Sequence, residues 1–472
     1  MTKYPISEPF IKRADPKRLV VDTPRLLVSS SHQAALNSIV DLTQIVLDAE
    51  FAGGAHLTFT DGAFEWFGGT HWVRLSEEQL GRIVLPYILR GGSTRQRVPA
   101  QIRELITILR HASASPVRDR ETESPPIINM ANCELWFDAT GKTTPQPHDP
   151  RSDLRYCLPI AYDPDARCPR YDRALAEIFS ASTDPAALIA LWHEITGYLI
   201  QPLRRRALII VALGRGQDGK SALAETLVRV LGSSRVMAMP VGDLTGSRFV
   251  VASLADKALF LDPDMAAGTT LPDGLLKQMA EATTMTGDRK FREPITFRSS
   301  AVPLIVTNHV PRLVDGERGF RRRLIVLPFE RHFGDGEVNN NLFPEIYANE
   351  MPGVLNRMLE GLHRVITRGW QFDLPCPVTR LTEAWWQAAR STTNSHASTR
   401  TVDQLLKGIS KSDELFLQPD ATIVESQYVD NKISKSKSVQ NSMLINLQTC
   451  HNTSRLNIEI KSDRSIEICL NK

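Results

Sequence analysis

The chain has 472 residues, of which 42% are hydrophobic and 23% charged, and its net charge is +3 at pH 7. This length allows two to four domains, and the composition is that of an ordinary globular protein. The near-neutral charge excludes a globally basic nucleic-acid-binding protein, so any nucleic-acid surface must be a local patch. No apolar run reaches transmembrane length and the first residues lack a signal-peptide core, so we expect no membrane partner and a cytoplasmic location, bacterial or host.

The six cysteines are scattered along the chain and form no C-x-x-C pair. This spacing argues against a zinc ribbon and against a disulfide framework. It fits a reducing compartment, in agreement with the expected cytoplasmic location.

The first 200 residues contain separate strand and helix patterns. Residues 56–73 alternate apolar and polar side chains around Asp61-Gly62, which predicts a β-hairpin. A helix is predicted from Ser76 to Leu89. The proline-rich residues 144–170 indicate loops, and helical patterning resumes over residues 171–200.

The segment Gly214–Ser221, with the sequence GRGQDGKS, fits the phosphate-binding pattern G-x-x-x-x-G-K-[ST]. It follows an apolar run, 207–213, typical of a buried parallel strand, and it precedes a helix pattern over 222–231. Such a loop turns its backbone N–H groups toward phosphate oxygens, and the helix N-terminus adds its dipole. We therefore predict that Lys220 contacts the β- and γ-phosphates of ATP and that Ser221 holds Mg²⁺. The loop glycines predicted to cradle the phosphates are Gly214, Gly216 and Gly219.

A second apolar run, 258–261, ends in two carboxylates one residue apart, Asp262 and Asp264. A P-loop enzyme needs an acidic strand end to hold Mg²⁺ and to orient the attacking water. We predict that Asp262 serves as a metal ligand and that both aspartates are catalytic. The sequence does not separate the metal holder from the water activator.

Two further segments complete the predicted catalytic set. The apolar run 301–307 ends at Asn308, whose amide is predicted to contact the γ-phosphate or the nucleophilic water. Arg322 and Arg323 then precede the apolar run 324–327. Arginines in this position often form a solvated rim, but in a ring ATPase one of them can stabilise the transition-state charge of a neighbour's nucleotide.

The order of these motifs resembles superfamily 3 helicases, and more narrowly the C-terminal helicase half of phage and plasmid primase-helicases, a group similar to poxvirus-type NTPases. The resemblance covers about residues 50–390. Besides the loop, Asp262/Asp264 and Asn308, it rests on Leu276-Lys277 with Thr286-Gly287-Asp288, on Arg322-Arg323-Leu324 with Pro328-Phe329, and on Trp192–Ile200 before the loop. It implies an α/β fold with a P-loop AAA+-like ATPase core and an upstream mixed α+β and helical domain. The sequence itself adds a poorly patterned C-terminal tail.

The resemblance also implies an ATP-dependent DNA helicase that forms a hexameric ring and translocates on single-stranded DNA during replication. In this superfamily a basic hairpin before the Asn strand projects into the ring channel. The matching segment here is 286–298, in which Lys290 and Arg292 are predicted to follow the DNA phosphates, with Phe291 between them. An ordinary solvated run of charges is the alternative interpretation.

These observations divide the chain into six predicted regions. They are an unassigned N-terminal segment (1–50), an upstream primase-helicase-associated domain (51–170), a helical segment (171–204), the ATPase core (205–345), a C-terminal helical part (346–390) and a compositionally distinct tail (391–472). The tail is set apart because it holds 7 Lys and 3 Arg, against 8 Lys and 38 Arg in residues 1–390. This change of composition suggests a fused or frameshifted end, and we expect weak order there.

Two departures from the family leave alternatives open. Too little chain precedes residue 50 for a primase domain, so we expect no primer synthesis by this chain and predict a separate primase or replication initiator as partner. The unusual tail leaves open a truncated or frame-disrupted remnant with impaired unwinding. A P-loop ATPase that moves something other than replicating DNA is a third interpretation, which the basic hairpin disfavours.

Overall fold

A computed structural model describes residues 39–60, 62–90, 96–113, 126–290, 292–313, 318–334, 336–394, 402–410, 442–449, 452–460 and 466–471. The chain divides into two compact units. The first comprises residues 1–120 with 149–156, and the second comprises residues 121–148 with 157–472. None of the helices in these described ranges has the length and apolar character needed to cross a bilayer.

The first unit is a small α+β body whose three strands form an antiparallel sheet in sequence order. Its core contains the buried side chains of Phe51, Phe64, Leu80 and Leu105. The predicted hairpin and the helix after it are confirmed. The elements are α1 (Ile39–Glu50), β1 (Leu57–Thr60), β2 (Ala63–Phe67), β3 (Trp72–Leu75), α2 (Glu77–Arg90) and α3 (Val98–Ala112), with 3-10 turns at Ala52–Gly54 and Pro150–Ser152.

The second unit begins with a three-stranded antiparallel sheet and continues into an α/β body. Its elements up to the end of the main sheet are β4 (Ile127–Asn129), β5 (Glu134–Phe137), β6 (Thr143–Gln146), α4 (Pro169–Ile178), α5 (Pro185–Ile200), β7 (Ile209–Gly214), α6 (Lys220–Leu231), β8 (Val236–Ala238), α7 (Arg248–Ala252), β9 (Leu259–Met265), β10 (Thr270–Leu271), α8 (Asp273–Ala280), β11 (Thr284–Arg289), β12 (Arg292–Arg298), β13 (Val302–Thr307), β14 (Arg312–Leu313), α9 (Arg318–Arg321) and β15 (Leu324–Phe329). Further 3-10 turns lie at Ser233–Arg235 and Val241–Thr245.

The described chain then adds helices α10 (Leu342–Asn349), α11 (Met351–Thr367), α12 (Cys376–Asn394) and α13 (Val402–Ser410), and strands β16 (Ser442–Thr449), β17 (Asn452–Ile460) and β18 (Ile466–Asn471). The last three strands pair antiparallel in sequence order. The cysteines Cys133, Cys157 and Cys168 are free, whereas Cys376 is disulfide-bonded, which departs from the expectation drawn from the spacing.

Five parallel strands form the main sheet, in the order β15-β7-β13-β9-β8. Every residue of β7, β13 and β15 is buried, because a parallel sheet covered on both faces requires near-continuous apolar strands. The strand that precedes Gly214–Ser221 is therefore flanked by the strand that ends before Asn308 and by the strand that follows Arg323. The predicted α/β body with a mainly parallel sheet is confirmed.

The helical patterning predicted without interruption over 171–200 is divided between two helices. The side chain of Asp184 accepts a hydrogen bond from the backbone N–H of Ala187 at 3.1 Å, and Pro185 opens α5. An aspartate cap followed by proline is a helix start signal, and it ends the preceding helical run. Helix α5 then packs closely on α11, where a Cβ atom on Gly197 would lie 2.1 Å from the carbonyl oxygen of Met358.

The compositional break at residue 391 falls inside helix α12 rather than between elements. Trp385 and Trp386 of this helix are buried in the core of the main sheet. Leu405 and Leu406 of α13, which lie beyond the break, are buried in the same core, and α13 packs against α12 and β7. Removing a buried leucine side chain costs about 2–5 kcal/mol, so α13 contributes to the stability of this unit.

Candidate nucleotide-binding site

The segment Gly214–Ser221 forms a tight loop between the end of β7 and the start of α6. Three of its residues have left-handed backbone conformations: the φ angles of Gly216, Gln217 and Gly219 are 93°, 50° and 87°. Successive residues of this kind point their N–H groups into one concavity, which suits an anion. Lys220 is the first residue of α6 and is buried, whereas Ser221 beside it is exposed.

The ammonium group of Lys220 has two partners inside the site. It donates to the carboxylate of Asp218 and, at 2.9 Å, to the side-chain oxygen of Asn308. Burial lowers the pKa of Lys220, while the hydrogen bond from Lys220 to Asp218 and the negative charges of Asp218 and Asp264 act in the opposite direction. The aromatic ring of Phe329, at the end of β15, has its centroid 6.0 Å from the same ammonium.

Asn308 reaches the loop because of the strand order. Strand β13 lies between β7 and β9, so the residue after its carboxyl end is adjacent to both. The hydroxyl of Thr307 anchors this strand end, because it donates to the carbonyl of Met265 at 3.3 Å and accepts from the N–H of His309 at 2.9 Å. The structure thus brings Asn308 and Lys220 together, although 88 residues of sequence separate them.

Asp262 and Asp264 occupy different environments at the end of β9. Asp262 is buried, and its two carboxylate oxygens accept the backbone N–H groups of Val241 at 2.8 Å and of Asp264 at 3.3 Å. Burial raises the pKa of Asp262. Asp264 is exposed, and its charge acts on Lys220.

A β-bulge explains why the two aspartates differ. Ile305 pairs with Asp262, but the next pair joins Thr307 to Met265, so β9 holds one more residue than β13 in this stretch. A bulge changes the direction of the side chains around it, and bulges are common beside active sites. The exposed Asp264 is therefore directed away from the regular ladder that buries Asp262.

The chain after β15 covers the loop from the other side. The ring nitrogen Nδ1 of His332 lies 2.9 Å from the carbonyl oxygen of Gly216, and the N–H of Phe333 donates to the carbonyl of Gln217 at 2.8 Å. Arg215 of the loop forms a 2.7 Å ion pair with Asp403 of α13. These contacts, like those of Asp218, could not be predicted from the sequence, because the motif does not specify its variable positions and His332, Phe333 and Asp403 lie outside it.

The structure distinguishes the two candidate arginines. Arg323 is mostly buried, pairs with the carboxylate of Glu281 and donates to the carbonyl of Gly319. Burial also lowers its pKa. Arg322 is exposed, and among the described residues its guanidinium has no hydrogen-bond or ion-pair partner.

The predicted basic hairpin is present as strands β11 and β12, which pair antiparallel. Gly287 packs against α7, where a Cβ atom would lie 2.4 Å from the backbone nitrogen of Ala252. Lys290 is exposed at the turn, and Arg292 opens β12. Phe291, predicted to lie between them, falls outside the described residues.

The predicted magnesium ligands fit a site in which substrate phosphates supply part of the metal coordination. The hydroxyl of Ser221 is exposed at the start of α6, and Asp262 and Asp264 lie at the same edge of the sheet. Within the described ranges, no group of three or more His, Cys, Asp or Glu side chains could hold a metal by itself. Magnesium needs no such cage, because it binds one or two protein oxygens together with waters and substrate phosphates.

Comparisons with known proteins define the class. Residues 44–180 match a family described as D5 N terminal like, and residues 212–323 match DUF5906, a family of unknown function. Both are markers of primase-helicases, and the second match spans the loop, Asp262, Asp264 and Asn308. The chain therefore resembles the primase-helicases in both matched regions, which confirms the resemblance predicted from its motifs.

The chain is also similar to one named relative and to solved structures. Over 132 residues the chain is 32% identical to a protein of Acanthamoeba polyphaga mimivirus named "Putative helicase L207/L206". This match covers 26% of the chain and only 13% of the mimivirus protein. Among solved structures, the A form apo structure of the NrS-1 C-terminal region (305–718) is 13% identical with a TM-score of 0.47, covering 75% of this chain and 76% of that one. A second A form apo structure of this region is 12% identical with a TM-score of 0.45, covering 78% and 86%.

Proposed function

We propose that this chain is an ATP-dependent DNA helicase of the superfamily 3 type, acting in phage- or plasmid-type replication. The observation that carries the proposal is the meeting of Lys220, Asn308 and Asp264 at the carboxyl edge of one parallel sheet, beside a loop with an anion-binding concavity. Ligands of open α/β sheets bind outside the carboxyl ends of the strands. The family relationship supports a helicase over other users of such a site.

ATP is the proposed substrate, and its phosphate oxygens would accept hydrogen bonds from the donors of the loop. The backbone N–H groups around Gly216 and Gly219 would hold phosphate oxygens, and Lys220 would neutralise charge on the β- and γ-phosphates. Asn308 would sense the γ-phosphate, because its side-chain oxygen already contacts Lys220. Mg²⁺, held by Ser221 and one of the two aspartates, would neutralise developing phosphate charge.

The exposure of Asp264 gives it the role of orienting the attacking water in this proposal. A group that activates water must reach the solvent-accessible side of the site, and Asp264 does so while remaining close enough for its charge to act on Lys220. Asp262, whose two oxygens already accept backbone N–H groups, would fix the strand end and contribute to the metal site.

The proposed assembly is a homo-oligomeric ring, a hexamer, in which one subunit completes the nucleotide site of the next. Arg322 is the better candidate for the residue acting across the interface, because Arg323 is committed to Glu281 within its own chain. An arginine that reaches a neighbour's nucleotide must be exposed and unpaired before assembly.

The β11–β12 hairpin is the proposed contact with single-stranded DNA. Lys290 is exposed at its turn, and a basic turn between two strands suits a polyphosphate backbone. We also propose a cytoplasmic location and a separate primase or replication initiator as partner, in line with the resemblance to primase-helicases.

The test is ATP hydrolysis by the full chain with and without single-stranded DNA, followed by unwinding of a forked duplex. The proposal expects basal hydrolysis that single-stranded DNA stimulates, together with strand separation that requires ATP. Hydrolysis without stimulation or unwinding would favour an ATPase that moves another cargo. A folded protein without any hydrolysis would support the alternative of an inactive remnant.

A further inference from the structure

A buried carboxylate lies inside the loop that is proposed to receive phosphate. Asp218 is only 3% exposed. Its Oδ2 accepts the N–H of Gly216 at 3.0 Å and also accepts from the ammonium of Lys220, while Oδ1 is 3.4 Å from the N–H of Lys220. One side chain therefore engages three donors of the loop.

These donors are of the kind that hold phosphate oxygens in such loops, namely backbone N–H groups in a concavity and the lysine ammonium that the motif specifies. The neighbouring Gly214 makes room for the arrangement. A Cβ atom at Gly214 would lie 2.1 Å from Oδ2 of Asp218 and 2.7 Å from Nζ of Lys220. The carboxylate thus occupies a place built for an anion.

Two anions cannot share these donors without a large electrostatic penalty. A nucleoside triphosphate brings several negative charges, and a carboxylate within about 5 Å in a partly buried site repels them by more than thermal energy. Either the carboxylate leaves the donors or the phosphate binds weakly. Such competition lowers the apparent affinity for nucleotide, because part of the binding energy is spent on displacing the internal anion.

We propose that Asp218 sets the nucleotide affinity of this site: in the empty loop its carboxylate takes the phosphate position, keeps the loop and Lys220 in their binding geometry, and is displaced by the triphosphate. This inference rests on the proposed nucleotide site. Asp218 is a positioning residue in this role, since it acts through Lys220 and the N–H of Gly216 rather than on the reacting atoms.

The proposal predicts opposite effects on the empty and the nucleotide-bound protein. Asp218→Asn keeps the shape of the side chain but removes its charge. The empty protein should unfold at a lower temperature, because Lys220 loses its buried partner. Its affinity for nucleotide should rise about tenfold, because no carboxylate competes with phosphate. A residue with a purely structural role would lower both quantities.

The experiment measures the dissociation constant of a fluorescent N-methylanthraniloyl-ATP with Mg²⁺, and the unfolding temperature without nucleotide, for the full chain and its Asp218→Asn variant. Asp403→Asn is the matched control, because it removes an acidic partner of Arg215 in the same loop but leaves the donors of Asp218 in place. Its nucleotide affinity should stay within about twofold of the parent value.

Weaker or unchanged nucleotide binding by Asp218→Asn would overturn the inference while leaving the nucleotide site itself intact. Failure of both parent and variants to bind the analogue would instead overturn the proposed function and the inference with it. Should Asp218→Asn fail to fold, Asp218→Ser serves as the second neutral variant, and it must also bind more tightly than the parent.

Discussion

The carboxyl edge of the main sheet and the β11–β12 hairpin both carry lysine side chains, but the two lysines differ in burial. At the sheet edge, the ammonium of Lys220 is buried and satisfied by Asp218 and Asn308. At the hairpin, Lys290 is exposed, and Asp288 forms a long ion pair, at 3.8 Å, with the largely exposed Arg248 of α7. The first arrangement suits a small ligand that must be held in one geometry, whereas the second suits a polymer that must slide.

The largest effect is expected from Lys220→Ala, which tests whether the sheet edge is a nucleotide site. Loss of the ammonium should reduce ATP turnover to background, since removing one preorganised charge donor already costs about 10²–10³-fold. The measurement is steady-state phosphate release by the full chain. Lys257→Ala is the matched control, because Lys257 lies at the amino end of β9 and donates to the carbonyl of Ser234. Turnover near the parent value in Lys220→Ala would refute the P-loop assignment.

A smaller but still large effect on ATP turnover is expected from Arg322→Ala. This variant tests whether the nucleotide site at the sheet edge needs an arginine from a neighbouring subunit. Turnover should fall about 10³-fold, the scale of an arginine acting in trans. Mixing Arg322→Ala subunits with Lys220→Ala subunits should restore part of the activity, because one interface of the mixed ring has both intact halves.

Arg323→Ala provides the contrast within this experiment. It should lower the stability of the second unit in urea by about 1 kcal/mol, because it breaks the ion pair between the mostly buried Arg323 and the exposed Glu281. If Arg323→Ala is stable and rescued by mixing while Arg322→Ala is not, the assignment of the two arginines is reversed.

The smallest effect is expected at the hairpin, from the double change Lys290→Ala with Arg292→Ala. Single-stranded DNA affinity should fall about tenfold, and the slope of log affinity against log salt should decrease by about 1.4, since each lost phosphate contact in single strands accounts for about 0.7. Basal ATP turnover should persist. Removing two exposed arginines of the first unit, by Arg82→Ala with Arg151→Ala, is the control. An unchanged salt slope would instead support the interpretation that the hairpin charges are ordinary solvated side chains without a role in DNA binding.

The main elements of both regions could be predicted from the sequence. The loop, its strand and its helix follow from local patterns, because glycines, an apolar run and a helical period are all contiguous there. The hairpin follows equally from a local pattern of strand, basic turn and strand. The adjacency of Asn308 to Lys220 required only the expectation that parallel strands end at one edge.

The remaining features of the site depend on contacts that no local pattern encodes. The bulge that separates Asp262 from Asp264 arises from a mismatch in length between β9 and β13, and both aspartates look alike in sequence. Arg322 and Arg323 are likewise adjacent and chemically identical, and they are distinguished by the contacts of Arg323 with Glu281 and Gly319. Asp218 occupies a variable position of the motif, so its contacts could not be predicted from the spacing.

The packing of α12 and α13 has a practical consequence for anyone shortening this chain. A cut at the compositional break would end within α12, expose Trp385 and Trp386 at a frayed end, and delete Leu405 and Leu406 from the core. It would also strip Arg215 of its ion-pair partner Asp403, beside the nucleotide loop. A shortened chain that keeps these core residues must therefore extend at least to the end of α13, at Ser410, and not stop where the amino-acid usage changes.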